Sequence, residues 1–336
     1  MYEVKEKERI YKEILESYIN ENDEQSLYLG QQLSRQMIEE GVSPEELVHL
    51  HVKVLMELYP KLDEEMKNSF EFLLEMMMDY GIAYREHQSL KNKQQQLNME
   101  IELAASMQNT FLSGDVPCDK SLDIGAISQP AKKLNGDYYH FVRDENNRIS
   151  VAIADVIGKG IPATLCMSMI KYAMESLTEE FKKPGAILEN LNRVVERNVD
   201  DSMFITMFYG LYDPNEHRFY YASAGHEPGF IYHKKKDEFV EFSTKGIVLG
   251  VEKESVYPDY EVAIDPGDMI VLLSDGVTEC RSKDGFIERH EIINLIRKYQ
   301  HLPSQQIVEE VYRELEQMQN FELKDDVTLI ILRRKV

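Results

Sequence analysis

The chain is 336 residues long and 43% hydrophobic, enough for more than one buried core. Its formal net charge of -22 and isoelectric point near 4.9 argue against nucleic acid or an anionic membrane as a partner, because the field of the whole molecule repels both. Cys118, Cys166 and Cys280 are widely spaced and lack a CxxC pair, which argues against a disulfide framework or a cysteine-based zinc site.

Met1 to Ile10 alternates charges without the apolar core of a signal peptide, and no apolar run approaches the ~20 residues of a membrane-spanning helix. A cytoplasmic protein is expected. From Tyr2 to Arg85, apolar residues recur at helical spacing in four stripes. These are Ile10, Ile14, Leu15 and Tyr18; Leu27, Leu33 and Ile38; Leu47, Leu50, Val54 and Leu58; and Phe70, Leu73, Leu74 and Met77. Ser43-Pro44-Glu45-Glu46 reads as a helix start with a capping box, and Gly41 and Pro60 mark breaks. Residues 1–85 are thus expected to form an all-α helical bundle serving dimerisation and partner binding.

A seven-residue period follows in Met76, Ala83, Leu90, Leu97, Ala104 and Phe111, half of a coiled-coil seam. The complementary positions, Tyr80, His87, Gln94, Ile101 and Gln108, are mostly polar, so pairing along a linker helix over 86–116 is marginal and suited to switching.

After Pro117 short apolar runs alternate with turn residues. Strands are expected over Leu122–Ser128, Tyr138–Val142, Ser150–Asp155, Met203–Tyr212, Phe219–Ala224, Gly229–His233, Tyr260–Ile264, Met269–Leu273 and Val327–Leu332. Helices are expected over Pro162–Leu177, Gly185–Arg197, Arg289–Tyr299 and Pro303–Gln317. Asp144 to Asn147 and Asp213 to Glu216 read as hairpin turns. The pattern predicts an α+β chain with a strand sandwich and helices outside it over 117–336.

The aspartates in this region fall at strand ends. Asp137 follows Gly136, Asp155 closes an apolar run, Asp275 follows Ser274, and Asp325-Asp326 precede the last strand. Each alone suits a turn; four such carboxylate positions together suit a hard divalent cation. Gly158-Lys159-Gly160 does not make a nucleotide-binding loop, since a glycine stands where Ser or Thr is required. Lys159 faces either phosphate or solvent, and His226 acts either as a general acid or as a structural turn residue.

Six segments carry a resemblance. Gly136-Asp137-Tyr138-Tyr139, Ala154 to Gly160, Phe204 to Met207, Ala224-Gly225-His226, Ser274 to Glu279 and Asp325 to Leu329 occur in the order found in the metal-dependent PPM serine/threonine phosphatases of the SpoIIE-like branch. The resemblance spans about Glu100 to Val336. It implies a ββ-sandwich flanked by helices and a pair of Mn²⁺ or Mg²⁺ ions. Asp155 matches the acid bridging both ions, with the Val156 carbonyl completing one site. Asp275 and Asp325 match ligands of the other, and Asp326 is the alternative to Asp325. Asp137 matches an acid that helps ligate or that orients water. Asp137, Asp155 and Asp275 are the expected catalytic acids.

The bundle and linker resemble those of activator phosphatases of the bacterial general stress response. That implies a homodimer, a switch serine kinase as activator at the bundle, and a phosphorylated anti-anti-sigma factor as substrate. A catalytically silent scaffold is the rival reading. If the seam transmits activation, Leu97→Pro abolishes partner-stimulated phosphatase activity; stimulation equal to wild type in a turnover assay contradicts that role.

Overall fold

In a computed structural model the described residues are 2–112, 116–157, 160–177, 183–199, 203–242, 244–282, 285–319, 321 and 323–336. The chain divides into two compact units, Met1–Leu97 and Asn98–Val336. No helix among the described residues is long and apolar enough to cross a membrane.

The first unit is helical: α1 (Tyr2–Glu21), α2 (Glu24–Glu39), α3 (Pro44–Leu58) and the start of α4 (Glu64–Leu112). The expected capping box is present. The Ser43 side chain accepts from Glu46 N, and the Glu46 carboxylate accepts from Ser43 N at 3.1 Å. Gly41 turns the chain between α2 and α3 with φ +78°, a region that glycine enters without steric cost. Gly81 does not break α4: a Cβ there would lie 2.2 Å from the Glu45 carboxylate, so the missing side chain leaves room for the Glu45–Arg85 ion pair between α3 and α4. Helix α4 runs without interruption from Glu64 to Leu112.

The second unit is an antiparallel sandwich. One sheet has the order β1 (Leu122–Gln129), β12 (Val327–Arg334), β9 (Met269–Leu273), β6 (Phe230–His233), β7 (Glu238–Glu241). The other runs β2 (Asp137–Arg143), β3 (Ile149–Val156), β4 (Ile205–Asp213), β5 (Arg218–Ala224), β8 (Tyr260–Ala263). The α+β expectation holds, and the expected strands and helices appear with ends shifted by a residue or two. The sequence reading did not include β7, the short hairpin β10 (Arg281–Ser282) and β11 (Gly285–Phe286), or the one-turn helix α7 (Asp275–Thr278). These elements are too short or too polar to carry a periodic signal.

Strand alternation sorts the side chains into three cores. Val151, Ile153, Phe208, Phe219, Ile270, Leu272, Ile330 and Leu332 interlock between the sheets. Their neighbours one residue along each strand face outward. Ala152, Ala154, Met207 and Ala222 pack under α5 (Ile161–Leu177) and α6 (Pro184–Asn198). Val271, Leu273, Leu329 and Ile331 pack under α8 (Arg289–Tyr299) and α9 (Ser304–Met318). Burial on both faces explains why these strands read as continuous apolar runs.

Helix α9 sits directly on β1 at Gly125, where a Cβ would lie 2.3 Å from the Ser304 carbonyl. Gly125→Ala therefore lowers the urea midpoint of the second unit, by an amount equivalent to roughly 1–3 kcal/mol. Gly41→Ala meets nothing within 4 Å and carries only the strain of its positive φ, on the order of 1 kcal/mol.

Candidate active site

At one end of the sandwich the inward-facing positions change from apolar to polar without any break in register. In β2 and β3, Asp137 stands opposite Asp155, and in β3 and β4, Asp155 stands opposite Thr206. In the facing sheet Ser128 stands opposite Thr328, and Ser274 follows the last residue of β9. These residues continue the inner faces that carry Ile153, Phe208, Leu272 and Ile330 deeper in the sandwich.

Short hydrogen bonds join this polar layer. The Ser128 and Thr328 hydroxyls lie 2.9 Å apart, Asn135 Nδ2 donates to Ser128 Oγ at 2.9 Å, and Thr328 N donates to Ser274 Oγ at 3.0 Å. Thr328 Oγ1 donates to Asp137 Oδ2 at 2.7 Å, and Asp137 N donates to Asn135 Oδ1 at 3.0 Å. Asp137 is only 1% exposed. Burial holds its carboxyl well above the usual carboxylate range, and the nearby Asp155 and Asp326 push the same way.

In front of this layer lies a cavity of about 440 Å³, lined by Asp155, Val156, Asp275, Asp325 and Asp326 among others. Four of the five expected aspartates thus converge; Asp137 stands behind the cavity rather than on its wall. Asp275 opens α7, and burial followed by repulsion from Asp325 and Glu279 pushes its carboxyl up to about 6. A Cβ on Gly276 would lie 2.0 Å from the Asp326 carbonyl, so the bare glycine lets the Asp275 and Asp325-Asp326 segments touch.

The doubled acid separates into two environments. Asp326 Oδ1 accepts from Ala131 N at 2.7 Å and its Oδ2 accepts from Gly136 N, which ties the segment before β12 to the loop before β2. Asp325 is exposed, and its charge acts on Asp275. Gly136 marks a further convergence: a Cβ there would lie 3.2 Å from both Asp155 Oδ1 and Asp326 Oδ2, and 3.8 Å from the Val156 carbonyl. Three oxygens surround a space that any other residue would fill.

Among the described residues no three Asp, Glu, His or Cys side chains close by themselves into a ready-made cage. An all-oxygen donor set of carboxylates and a carbonyl, completed by water, is nevertheless the set that Mg²⁺ takes, since it retains several waters and binds few protein carboxylates. The residues present fit such an ion.

The loop before β2 is also held from α4. Gln108, 1% exposed, donates to Asn135 O at 2.6 Å and accepts from Asn135 N at 2.8 Å. In sequence Gln108 is a polar interruption of a heptad seam, Ser274 and Thr328 fall within the resembling segments without a role of their own, and Asn135 carries no signal. Polar residues at inward-facing strand positions were the available signal. Gly158 and Lys159 lie outside the described residues. Cys280 is buried with its thiol pushed up to about 11 and Cys166 is raised by the same cause, so neither is a nucleophile at neutral pH.

A helix-flanked double sheet with an acid-lined cavity at one end is the PP2C-type fold. The chain superimposes on the SiaA-PP2C domain of Pseudomonas aeruginosa with a TM-score of 0.61 at 17% identity, covering 72% of this chain and 98% of that one. Against the PP2C phosphatase domain of SpoIIE from Bacillus subtilis the TM-score is 0.53 at 20% identity, covering 65% and 64%. The family model for stage II sporulation protein E matches residues 145–335, and that for the phosphoserine phosphatase RsbU N-terminal domain matches residues 9–83. The phosphoserine phosphatase RsbU of Bacillus subtilis (strain 168) is 54% identical over 329 residues, 98% of each chain. The chain belongs to the SpoIIE family of PP2C-type serine/threonine protein phosphatases, in its RsbU-type branch.

His226 lies outside the cavity lining, its Nδ1 2.8 Å from the Thr206 hydroxyl. Burial pushes its pKa down to about 4, so the folded ring is neutral. Between pH 6.5 and 4 the unfolded chain takes up a proton that folded His226 refuses. The stability associated with this residue is therefore full above about pH 6.5 and falls as pH drops, in total by on the order of 3 kcal/mol. Urea unfolding at pH 7.5 and pH 5 reads this as a slope that His226→Asn flattens.

Proposed function

We propose that the cavity hydrolyses phosphoserine or phosphothreonine esters with two Mn²⁺ or Mg²⁺ ions, and that the physiological substrate is a phosphorylated anti-anti-sigma factor. The observation that carries this reading is the convergence of Asp155, the Val156 carbonyl, Asp275 and Asp325 on one cavity. When bound, such a pair of ions lowers the pKa of a water and screens the ester's charge, so no covalent enzyme intermediate is required.

The chain's own groups have separate tasks. Asp155 and the Val156 carbonyl would hold metal, as would Asp275 and Asp325 from the facing sheet. Asp326 accepts from Ala131 N and Gly136 N, which supports a shaping role for it and favours Asp325 as the ligand of the doubled acid. Asp137, held by Thr328, orients groups from behind. His226, neutral and tied to Thr206, is structural rather than a general acid.

The regulatory assignment rests on family membership. Residues 1–85 form the dimerisation and partner-binding module, 86–116 the coiled-coil-like linker and 117–336 the phosphatase domain. A switch serine kinase engages the bundle of a homodimer in the cytoplasm, raising phosphatase output and releasing the general stress sigma factor. The N-terminal family match and the apolar groove of about 480 Å³ between α1, α2 and α3, lined by Ile14, Leu15, Leu27, Leu33 and Met37, support that use of the bundle.

Turnover of p-nitrophenyl phosphate and of the phosphorylated anti-anti-sigma factor, with and without Mn²⁺ and the kinase, tests the reading. Asp155→Asn is expected to lower metal-dependent kcat/KM by at least roughly 100-fold. Turnover that survives chelation, or an Asp155→Asn variant as active as wild type, contradicts the assignment.

A further inference from the structure

The cavity wall carries cations as well as acids. Lys132, Lys133 and Lys324 line it beside Asp155, Asp275 and Asp325, and no arginine does so among the described residues. Lys133 is engaged elsewhere, its Nζ 2.7 Å from Glu102 Oε1 on α4. Lys132 and Lys324 are exposed, and neither has a carboxylate partner among the described residues. They also come from separate segments that the acids already hold together. Lys132 follows Ala131, whose amide is bound by Asp326, and Lys324 precedes Asp325.

A phosphoserine ester brings a charge of about -1.5 to -2 toward a chain of formal charge -22 and a cavity walled with aspartates. Ions at the acids offset the carboxylates, but the ester's own peripheral oxygens still need a partner. A lysine ammonium, compact and reachable from many angles, serves a phosphoryl oxygen well as a point charge. Unpaired lysines on a wall of paired and mutually repelling carboxylates are placed for that role.

We propose that Lys132 and Lys324 together grip the phosphoryl group of the substrate. This rests on the cavity being the phosphatase site. The two residues set ground-state affinity for phosphate, while the acids set turnover.

Steady-state kinetics on the full chain at saturating Mn²⁺ test it, with p-nitrophenyl phosphate and a phosphoserine peptide as substrates and inorganic phosphate as competitive inhibitor. Lys132→Gln and Lys324→Gln are each expected to raise KM for both substrates, and Ki for inorganic phosphate, by roughly three- to tenfold. The double variant should approach the product of the two effects. Lys→Arg at either position should restore most of the loss, with the Mn²⁺ activation constant and Tm unchanged. A Ki for inorganic phosphate equal to wild type in the double variant overturns the proposal. So does a KM rise confined to the peptide, which would place the lysines on the polypeptide and not on the phosphoryl group. Wild-type protein without Mn²⁺-dependent turnover on either substrate fails differently, by removing the site reading itself.

Discussion

Like charges crowded at one end of a sandwich cannot all stay ionised without a counter-charge, and this constraint organises the second unit. Asp137 and Asp155 are forced side by side by the register of β2 and β3, and Asp326 and Asp275 are brought to them from the facing sheet. Part of the cost is met locally, through hydroxyl and amide donors from Thr328, Ala131 and Gly136. The remainder, seen in the raised carboxyls of Asp137 and Asp275, is a deficit of the kind a divalent cation would offset.

The same constraint needs bare backbone at two points. A Cβ on Gly276 would lie 2.0 Å from the Asp326 carbonyl, and one on Gly136 would enter the space between the Asp155 and Asp326 carboxylates. The loop before β2 is held at both ends of its hydrogen-bonding capacity, by Asp326 on one side and by the Gln108 amide on the other. Anything that shifts the last turns of α4 therefore acts on the backbone that Asp326 organises, and so on the shape of the cavity.

Most of the strand and helix order was legible because burial on both sheet faces writes long apolar runs into the chain, as in Val151 to Ala154 and Met269 to Leu273. The acids were legible because each interrupts such a run at its end. What lay hidden depends on pairing between distant segments. Thr328 resembles an ordinary β-branched strand residue until the register sets it opposite Ser128 and against Asp137. Gln108 resembles a weak seam residue until its amide is matched to Asn135. Asp325 and Asp326 are indistinguishable in sequence, and only the amides of Ala131 and Gly136 tell them apart.

Strand β12 carries two independent cargoes on one backbone. Its outward side chains, Leu329 and Ile331, hold the α8 and α9 layer, and its inner ones run from Leu332 and Ile330 to Thr328. Only the last position reaches the acid layer, through its hydrogen bond to Asp137. Loss of activity and loss of fold are therefore separable along this strand: a lineage could exchange Thr328 for an apolar residue of equal volume and keep the sandwich. The architecture is thus open to drifting into a silent binding module by changes too small to register in its overall shape.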